Sequence, residues 1–368
     1  MNNSSYISRP TRAVINNENF LHNVSIVKQI IGNRKIMAVL KADAYGHGLV
    51  ETAKILSNID YIGVAYIEEA LILRKNGIKI PILVLGAINS NQINDFILND
   101  IDITGASLEK LEQISIVAKQ LKRKARVHLK IDTGMGRIGV QYDRVERFFS
   151  EVFKLEYIDI VGIYTHFSSA DTDKKYTLLQ YNRFEKVLKT LSQYIEINTL
   201  IVHIANTAFV SNYHNLDLKD MVRVGLMIYG YSPNRTIQKK LKPVMKLETV
   251  VSYFKVLEKD KYISYQKQFK TKKLSRVVTL PIGYADGYSI EFSNKAKVCI
   301  NNKIYPIVGK VCMDQCMVNI GDGQAYVGDS VELFGNKINL WDICNTTNQS
   351  PYTILTCITQ RVPRIYIN

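Results

Sequence analysis

From Lys35 to about Gly230 the chain alternates β-rich apolar runs with segments whose apolar residues recur every three or four positions. The runs are KIMAVLKA, YIGVAY, PILVLGA, DITGA, RVHLKID, IVGIYTHF, LIVHIAN and MVRVGLMIYG, eight in all. Between them lie stretches such as LEKLEQISIVAKQLKR and LLQYNRFEKVLKTLSQYI, which have the periodicity of helices with one core-facing side. Such alternation marks parallel βα units, and eight of them predict a (β/α)8 TIM-like barrel of the α/β class. No G-x-G-x-x-G follows the first run, which argues against an open dinucleotide-binding sheet.

After Tyr231 the texture changes. KLETVVSYFKV, SRVVTLPIG, AKVCINNKIYPIVG and DSVELFG are short alternating strands, separated by turn pairs such as Asp286-Gly287 and Asn301-Asn302. A chain of 368 residues has room for two domains. We therefore expect a barrel over residues 1–240 and a mostly-β domain over 241–368, with the boundary near 235 to 245.

Composition narrows the class. At 46% hydrophobic and 22% charged, the chain has the make-up of an ordinary soluble protein. MNNSSYISRPTRA lacks an export-type apolar core, and runs such as IPILVLGAI are too short to span a bilayer, so a cytoplasmic protein with no membrane partner is expected. The net charge of +15 raises the question of nucleic acid. Its basic residues are spread along helix-like segments and one patch, KQFKTKKLSR, without a nucleic-acid motif, so attraction of anionic small molecules is the expected use. The five cysteines lie between Cys299 and Cys357 with no histidine beyond His214, so no Cys/His zinc set can be completed there. Free thiols in a reducing compartment and no metal site are expected.

In such a barrel, chemistry sits at the C-terminal ends of strands. Reading those ends gives Lys41 in AVLKADAYGHG, Lys130 and Arg137 around KIDTGMGRIG, His166 in YTHFSS, His203 with Asn206 and Thr207 in HIANT, and Arg223 with Gly225 in VRVGLM. Five of the eight ends thus carry polar groups. An amine at the tip of a buried strand is costly unless chemistry uses it. Asn206-Thr207 and Val224-Gly225-Leu226 follow the seventh and eighth runs, where barrels often bind phosphate. An amine and a phosphate cradle facing one cavity are the two handles of pyridoxal 5'-phosphate, an aldehyde for the lysine and a phosphate for main-chain donors.

AVLKADAYGHG, KIDTGMGRIG, HFSSAD, HIANTA, MVRVGLMIYG, ISY, PIGYADGY, GKVCMDQCMV and RVPRIY, in this order from RPTRA at Arg9 to the end, resemble the bacterial alanine racemase family. The resemblance implies a pyridoxal-phosphate enzyme that interconverts L- and D-alanine for cell-wall peptidoglycan. By position, Lys41 matches the Schiff-base lysine and one proton-transfer group. Tyr265 matches the base on the opposite face, brought by the second domain of a partner subunit, so the resemblance implies a head-to-tail homodimer with shared active sites. Tyr45, Thr207 (in place of the usual serine), Gly225, Leu226 and Tyr352 match the phosphate partners, with Asn206 beside them. Arg223 matches the arginine at the pyridine nitrogen. Because a guanidinium does not give up its proton, it weakens the cofactor as an electron sink and suppresses side reactions such as transamination.

His166, with His203 behind it, matches the family's network next to Arg223. Arg137 is implied to bind the substrate carboxylate region and support Tyr265, and Lys130 matches a lysine whose carbamylation orients that arginine. Met313 and Asp314 match the substrate-side loop contributed across the dimer. Tyr284 and Tyr352 match a narrow entrance that admits alanine and resists larger side chains. Two positions depart from the pattern: Gln266 stands where glycine usually follows the catalytic tyrosine, and Lys310 stands where arginine is common. Other readings are a broad-spectrum amino-acid racemase, a pyridoxal-phosphate decarboxylase and a non-catalytic pyridoxal-phosphate carrier. The first resembles exported proteins, the second fits ISY and CMDQ badly, and the third lacks a β-domain.

Overall fold

The structure is a computed structural model that describes residues 9–368. Its chain divides into two compact units.

The first unit comprises Leu21–Ala44 and Leu49–Leu241. All eight sequence runs form strands, at Lys35–Val39, Tyr61–Val64, Ile82–Val84, Ile103–Gly105, Ala125–Asp132, Ile158–Tyr164, Ile201–His203 and Met221–Val224. They pair in parallel in two sets of four, and a two-residue strand, Val140–Gln141, joins the second sheet beside Ala125–Asp132. Parallel bridges Leu83↔Asp102 and Asn206↔Arg223 join the sheets at both seams, which closes the ring. Helices follow the strands, the longest being Leu108–Gln120 and Lys174–Leu191. Ser107 and Asp173 cap these two by accepting the amides of Lys110 and Tyr176, which sets where each helix starts.

Register matters for the site because parallel partners point the same way. Lys130, Tyr164 and His203 are successive partners across the fifth, sixth and seventh strands. Their side chains therefore share one level of the barrel.

The second unit comprises residues 9–20, Tyr45–Gly48 and Lys242–Asn368. Its six-stranded sheet runs in the order Lys303–Pro306, Lys297–Ile300, Ser330–Phe334, Met245–Val250, Arg12–Asn16, Arg364–Ile367. A three-stranded sheet holds Tyr253–Leu257, Ser275–Leu280 and Cys316–Gly321, and a two-stranded ladder pairs Tyr262–Ile263 with Phe269–Lys270. Sequence texture assigns the N-terminal strand to a 1–240 barrel, but its ladder partners are Met245–Val250, antiparallel, and Arg364–Ile367, parallel. Buried Ala13, Val14 and Ile15 give it the apolar character of an interior strand. The stretch KLETVVSYFKV, which reads as one strand, is two: the chain leaves one sheet at Val250 and enters another at Tyr253. Among the described residues no helix is long and apolar enough to cross a membrane.

Candidate active site

The first barrel strand ends at Val39, and Lys41 follows. The backbone then does something unusual: Ala42, Asp43, Ala44 and Tyr45 have φ between 51° and 54°. Each such L-residue costs about 1–2 kcal/mol relative to the right-handed region. Two carboxylates hold the barrel part of this turn. Glu69 accepts the Ala42 amide at 2.6 Å and, through its other oxygen, the Ala65 amide at 2.7 Å, while Asp43 accepts the Leu49 amide at 2.8 Å. Burial, then the charge of Arg137, lowers the Lys41 amine below its ordinary value, and Glu69 opposes them. A larger neutral fraction makes the amine a better nucleophile and base.

Arg137 is delivered by the loop after the fifth strand. Asp132 builds that loop: its carboxylate accepts the amides of Gly134, Met135 and Gly136 at 2.8 to 3.2 Å. The helix Lys174–Leu191 pins the loop, with Tyr176 donating to Gly134 O at 2.8 Å and Arg183 to Thr133 O at 2.9 Å.

Arg223 is 3% exposed on the eighth strand. It donates to His203 O at 2.7 Å, Thr165 O at 2.6 Å and Ile204 O at 3.2 Å. The same guanidinium meets His203 Nδ1 at 3.0 Å and His166 Nδ1 at 3.4 Å. Burial pushes it down to about 10, so it stays charged at neutral pH. Tyr164 is the platform beneath these groups. Its ring stacks on His203 with centroids 4.6 Å apart, Lys130 Nζ lies 4.6 Å from its centre and Arg223 Cζ 5.2 Å.

Lys130 is 3% exposed, and its Nζ has no hydrogen-bond partner. Burial, followed by the charges of Arg223 and Arg137, holds this amine well below its ordinary value. Burial, followed by the charge of Arg223, holds His166 and His203 well below theirs. The charges of Arg223 and Arg137 thus act on a neutral His166, an arrangement suited to an anionic guest.

Thr207 Oγ1 accepts the Gly225 amide at 3.1 Å, so the hydroxyl and the backbone donor predicted as a phosphate cradle are neighbours. Asn206 caps the turn of Thr207 by accepting the Phe209 amide at 2.9 Å. Leu226 follows in the same turn, where its carbonyl accepts the amides of Tyr229 and Tyr231.

The remaining candidates belong to the β unit. Tyr45 and Tyr352 have ring centroids 5.7 Å apart, and burial raises the Tyr45 phenol. Tyr265, 67% exposed, lines a groove of about 680 Å³ together with Met313 and Asp314. Asp314 is held by Arg361 at 2.7 Å. Tyr265, Tyr284 and Lys310 line an adjoining depression. Gln266 lies in the left-handed region, φ 60° and ψ 14°, between Ser264 at φ 67° and Lys267 at φ 55°. Lys310 Nζ reaches Gln266 Oε1 at 3.2 Å.

Sequence reading missed Glu69, Tyr164, His128 and Asp102. His128 stands two residues before Lys130 on the same strand, a spacing that puts both on one face and was the available signal. Asp102 opens the run DITGA, where nothing local marks it as a buried partner of other side chains.

Residues 15–233 match the family model described as alanine racemase, N-terminal domain, and residues 244–366 the one described as alanine racemase, C-terminal domain. Alanine racemase 2 of Caldanaerobacter subterraneus subsp. tengcongensis is 40% identical over 371 residues, covering 98% of this chain and 95% of that relative. The alanine racemase of Clostridium kluyveri is 40% identical over 373 residues, covering 98% and 94%. Among solved structures, alanine racemase of Clostridium difficile 630 superposes with a TM-score of 0.91 at 38% identity, covering 98% of this chain and 97% of that one.

Two outcomes follow from this geometry. A base held below its ordinary value is neutral in the fold but takes a proton once unfolded. His166 and His203 therefore contribute stability that is complete above the unfolded value of 6.5 and is lost as pH falls below it. Each adds a slope of up to about 1.4 kcal/mol per pH unit. Urea midpoints between pH 7.5 and 5 should fall, and less steeply in His166→Gln; equal slopes would contradict the assignment. Separately, Gln266→Gly should raise stability by up to about 1 kcal/mol by relieving left-handed strain. Gln266→Ala, measured alongside in urea, should give no such gain.

Proposed function

The chain belongs to the alanine racemase family, and on that premise we propose that Lys41 and Tyr265 are the two acid/base groups with which it interconverts L- and D-alanine. The interconversion itself is the activity of the family, and the substrate is a small amino acid. The family works with pyridoxal 5'-phosphate, which when bound withdraws electrons from the Cα of an attached amino acid and so makes its proton removable.

The residues present fit that cofactor. The paired Thr207 hydroxyl and Gly225 amide, with Asn206 and Leu226 beside them, suit its phosphate. Arg223, clamped by three carbonyls, suits the ring nitrogen, and the amine of Lys41 suits the aldehyde. Tyr45 and Tyr352 keep the phosphate roles that their family positions imply.

Racemisation requires a proton to leave one face of Cα and another to arrive on the opposite face. The observation that carries the reading is Lys41, an amine at a barrel strand end held below its ordinary value by burial and by the charge of Arg137. Its Nζ takes or returns the proton on one face. Tyr265 serves the other, and its high exposure in a groove built by the β unit alone supports a homodimer in which a second copy supplies it. Arg137 orients the substrate carboxylate and supports Tyr265, with His166 and His203 completing the network around Arg223. Met313 and Asp314 form the substrate-side loop, while Tyr284 and Tyr352 narrow the entrance against larger side chains. Lys130, driven toward the neutral amine by burial and without a hydrogen-bond partner, is suited to attack carbon dioxide. A nitrogen–carbon bond forms, one proton leaves, and the resulting carbamate anion orients Arg137. Five cysteines without a disulfide support work in the reducing cytoplasm, where D-alanine would supply cell-wall peptidoglycan.

Deuterium uptake at Cα from heavy water tests the two bases. Lys41→Ala should abolish activity and the cofactor's lysine-dependent visible absorbance. Tyr265→Ala should slow abstraction from L-alanine much more than from D-alanine; equal, modest slowing in both directions removes the tyrosine from this role. For the carbamate, protein equilibrated with 13C-bicarbonate should show a carbamate carbon resonance that Lys130→Ala lacks. Its absence from the parent protein overturns that assignment.

A further inference from the structure

A column of polar side chains runs down the inside of the barrel from Arg223 toward the N-terminal ends of the strands. Arg223 Nη1 meets His203 Nδ1 at 3.0 Å, and His203 Nε2 meets His128 Nδ1 at 3.0 Å. His128 Nε2 meets Asp102 Oδ2 at 3.2 Å. At the foot, Asp102 accepts from Arg126 Nε at 2.7 Å and from the Tyr61 hydroxyl at 2.8 Å. His203, His128 and Asp102 are all buried, while Arg126 reaches the surface. Barrel interiors of this kind are ordinarily filled by branched aliphatic side chains, and a buried carboxylate with two imidazoles is costly unless each group is satisfied.

The fold makes room for this column. The ladder between the fifth and sixth strands is irregular between Val127 and His128. His128 is paired there with Gly162, where a Cβ would overlap His128 Nδ1. Any side chain at Gly162 would displace the imidazole.

The direction of every hydrogen bond is forced from the top. A guanidinium only donates, so His203 Nδ1 accepts and its proton sits on Nε2. That N–H donates to His128 Nδ1, which places the His128 proton on Nε2, aimed at the Asp102 carboxylate. Burial pushes Asp102 up, but the hydrogen bonds from His128 and Arg126 outweigh it and keep the group an anion. Reversing either imidazole would set two donors against each other at His203 or at Arg223.

We infer that Asp102 and His128 are positioning residues for Arg223, acting through His203 to hold its guanidinium against the cofactor's ring nitrogen; this rests on the reading of Arg223 given above. Without the anion at the foot, both imidazoles are free to exchange tautomers, and the Nδ1–H form of His203 repels Arg223. A displaced arginine no longer keeps the ring nitrogen unprotonated, so the electron sink deepens. Pyruvate and the amine form of the cofactor then escape more often from alanine turnover.

The wild-type holoenzyme labelled with 15N-histidine should show His128 and His203 both as Nε2–H tautomers. This measurement needs no substitution in the column, and an Nδ1–H form of either residue overturns the inference. Kinetically, His128→Phe should lower kcat by about tenfold to a hundredfold, the range that outer partners of a site command, with KM for alanine changed little. It should also raise pyruvate formed per racemisation event, as Arg223→Gln should. Leu129→Ala, a buried apolar change in the same strand, should leave that ratio unchanged. A raised ratio in Arg223→Gln but not in His128→Phe overturns the column's role and spares the reading of Arg223. No rise in either overturns that reading, and the inference with it.

Discussion

A guanidinium buried in the barrel is the constraint around which the rest of the site is arranged. Arg223 brings only donors into a space from which water is excluded, and each left unmet would cost several kcal/mol. Its acceptors are the carbonyls of Thr165, His203 and Ile204, which sit just where the sixth and seventh strands end. Carbonyls beyond the last ladder bond are the ones without a strand partner, so the length of those strands and the place of the arginine are one fact. Tyr164, capped by a hydrogen bond to Thr104 at 2.7 Å, supplies the aromatic face on which the charge rests.

Once that cation is in place, its neighbours respond electrostatically. Lys130 is driven toward the neutral amine, and His166 and His203 toward neutral imidazole, by burial first and by Arg223 next. Proton-transfer chemistry near neutral pH needs groups poised in this way, and an anionic cofactor or carboxylate completes the charge balance. The excess of lysine and arginine over the whole chain thus has a local counterpart inside the barrel, where it sets protonation states.

Backbone strain marks the two residues proposed as the acid/base pair. Lys41 is followed by four consecutive left-handed residues, and Tyr265 stands among Ser264, Gln266 and Lys267, all at positive φ. Such conformations persist only where surrounding bonds overdetermine them. Glu69 and Asp43 do this after Lys41; just before Tyr265 the side chain of Ser264 is tied to Lys310 O at 2.6 Å. A side chain held by a strained turn is presented at a defined angle, at the expense of a fraction of the fold's stability.

The eight barrel strands and the polar groups at their ends were legible in the sequence because both depend on local pattern. Period-2 and period-3.6 alternation identify elements, and a lysine or histidine closing an apolar run is conspicuous by itself. The alternation also marked where the β-rich half begins. What pattern could not carry was long-range pairing. Arg12–Asn16 reads as part of the barrel half, yet its hydrogen-bonding partners lie some 230 and 350 residues away in sequence, and no local signal encodes them. Likewise His128 and Asp102 look unremarkable one at a time. They form a column with Arg223 only because the fourth to eighth strands close into one ring with a glycine facing the imidazole. Residue chemistry at strand ends was thus determined by sequence alone; which groups touch, and hence which protons they hold, was decided by tertiary structure, because burial and neighbouring charge exist only after the ring has closed.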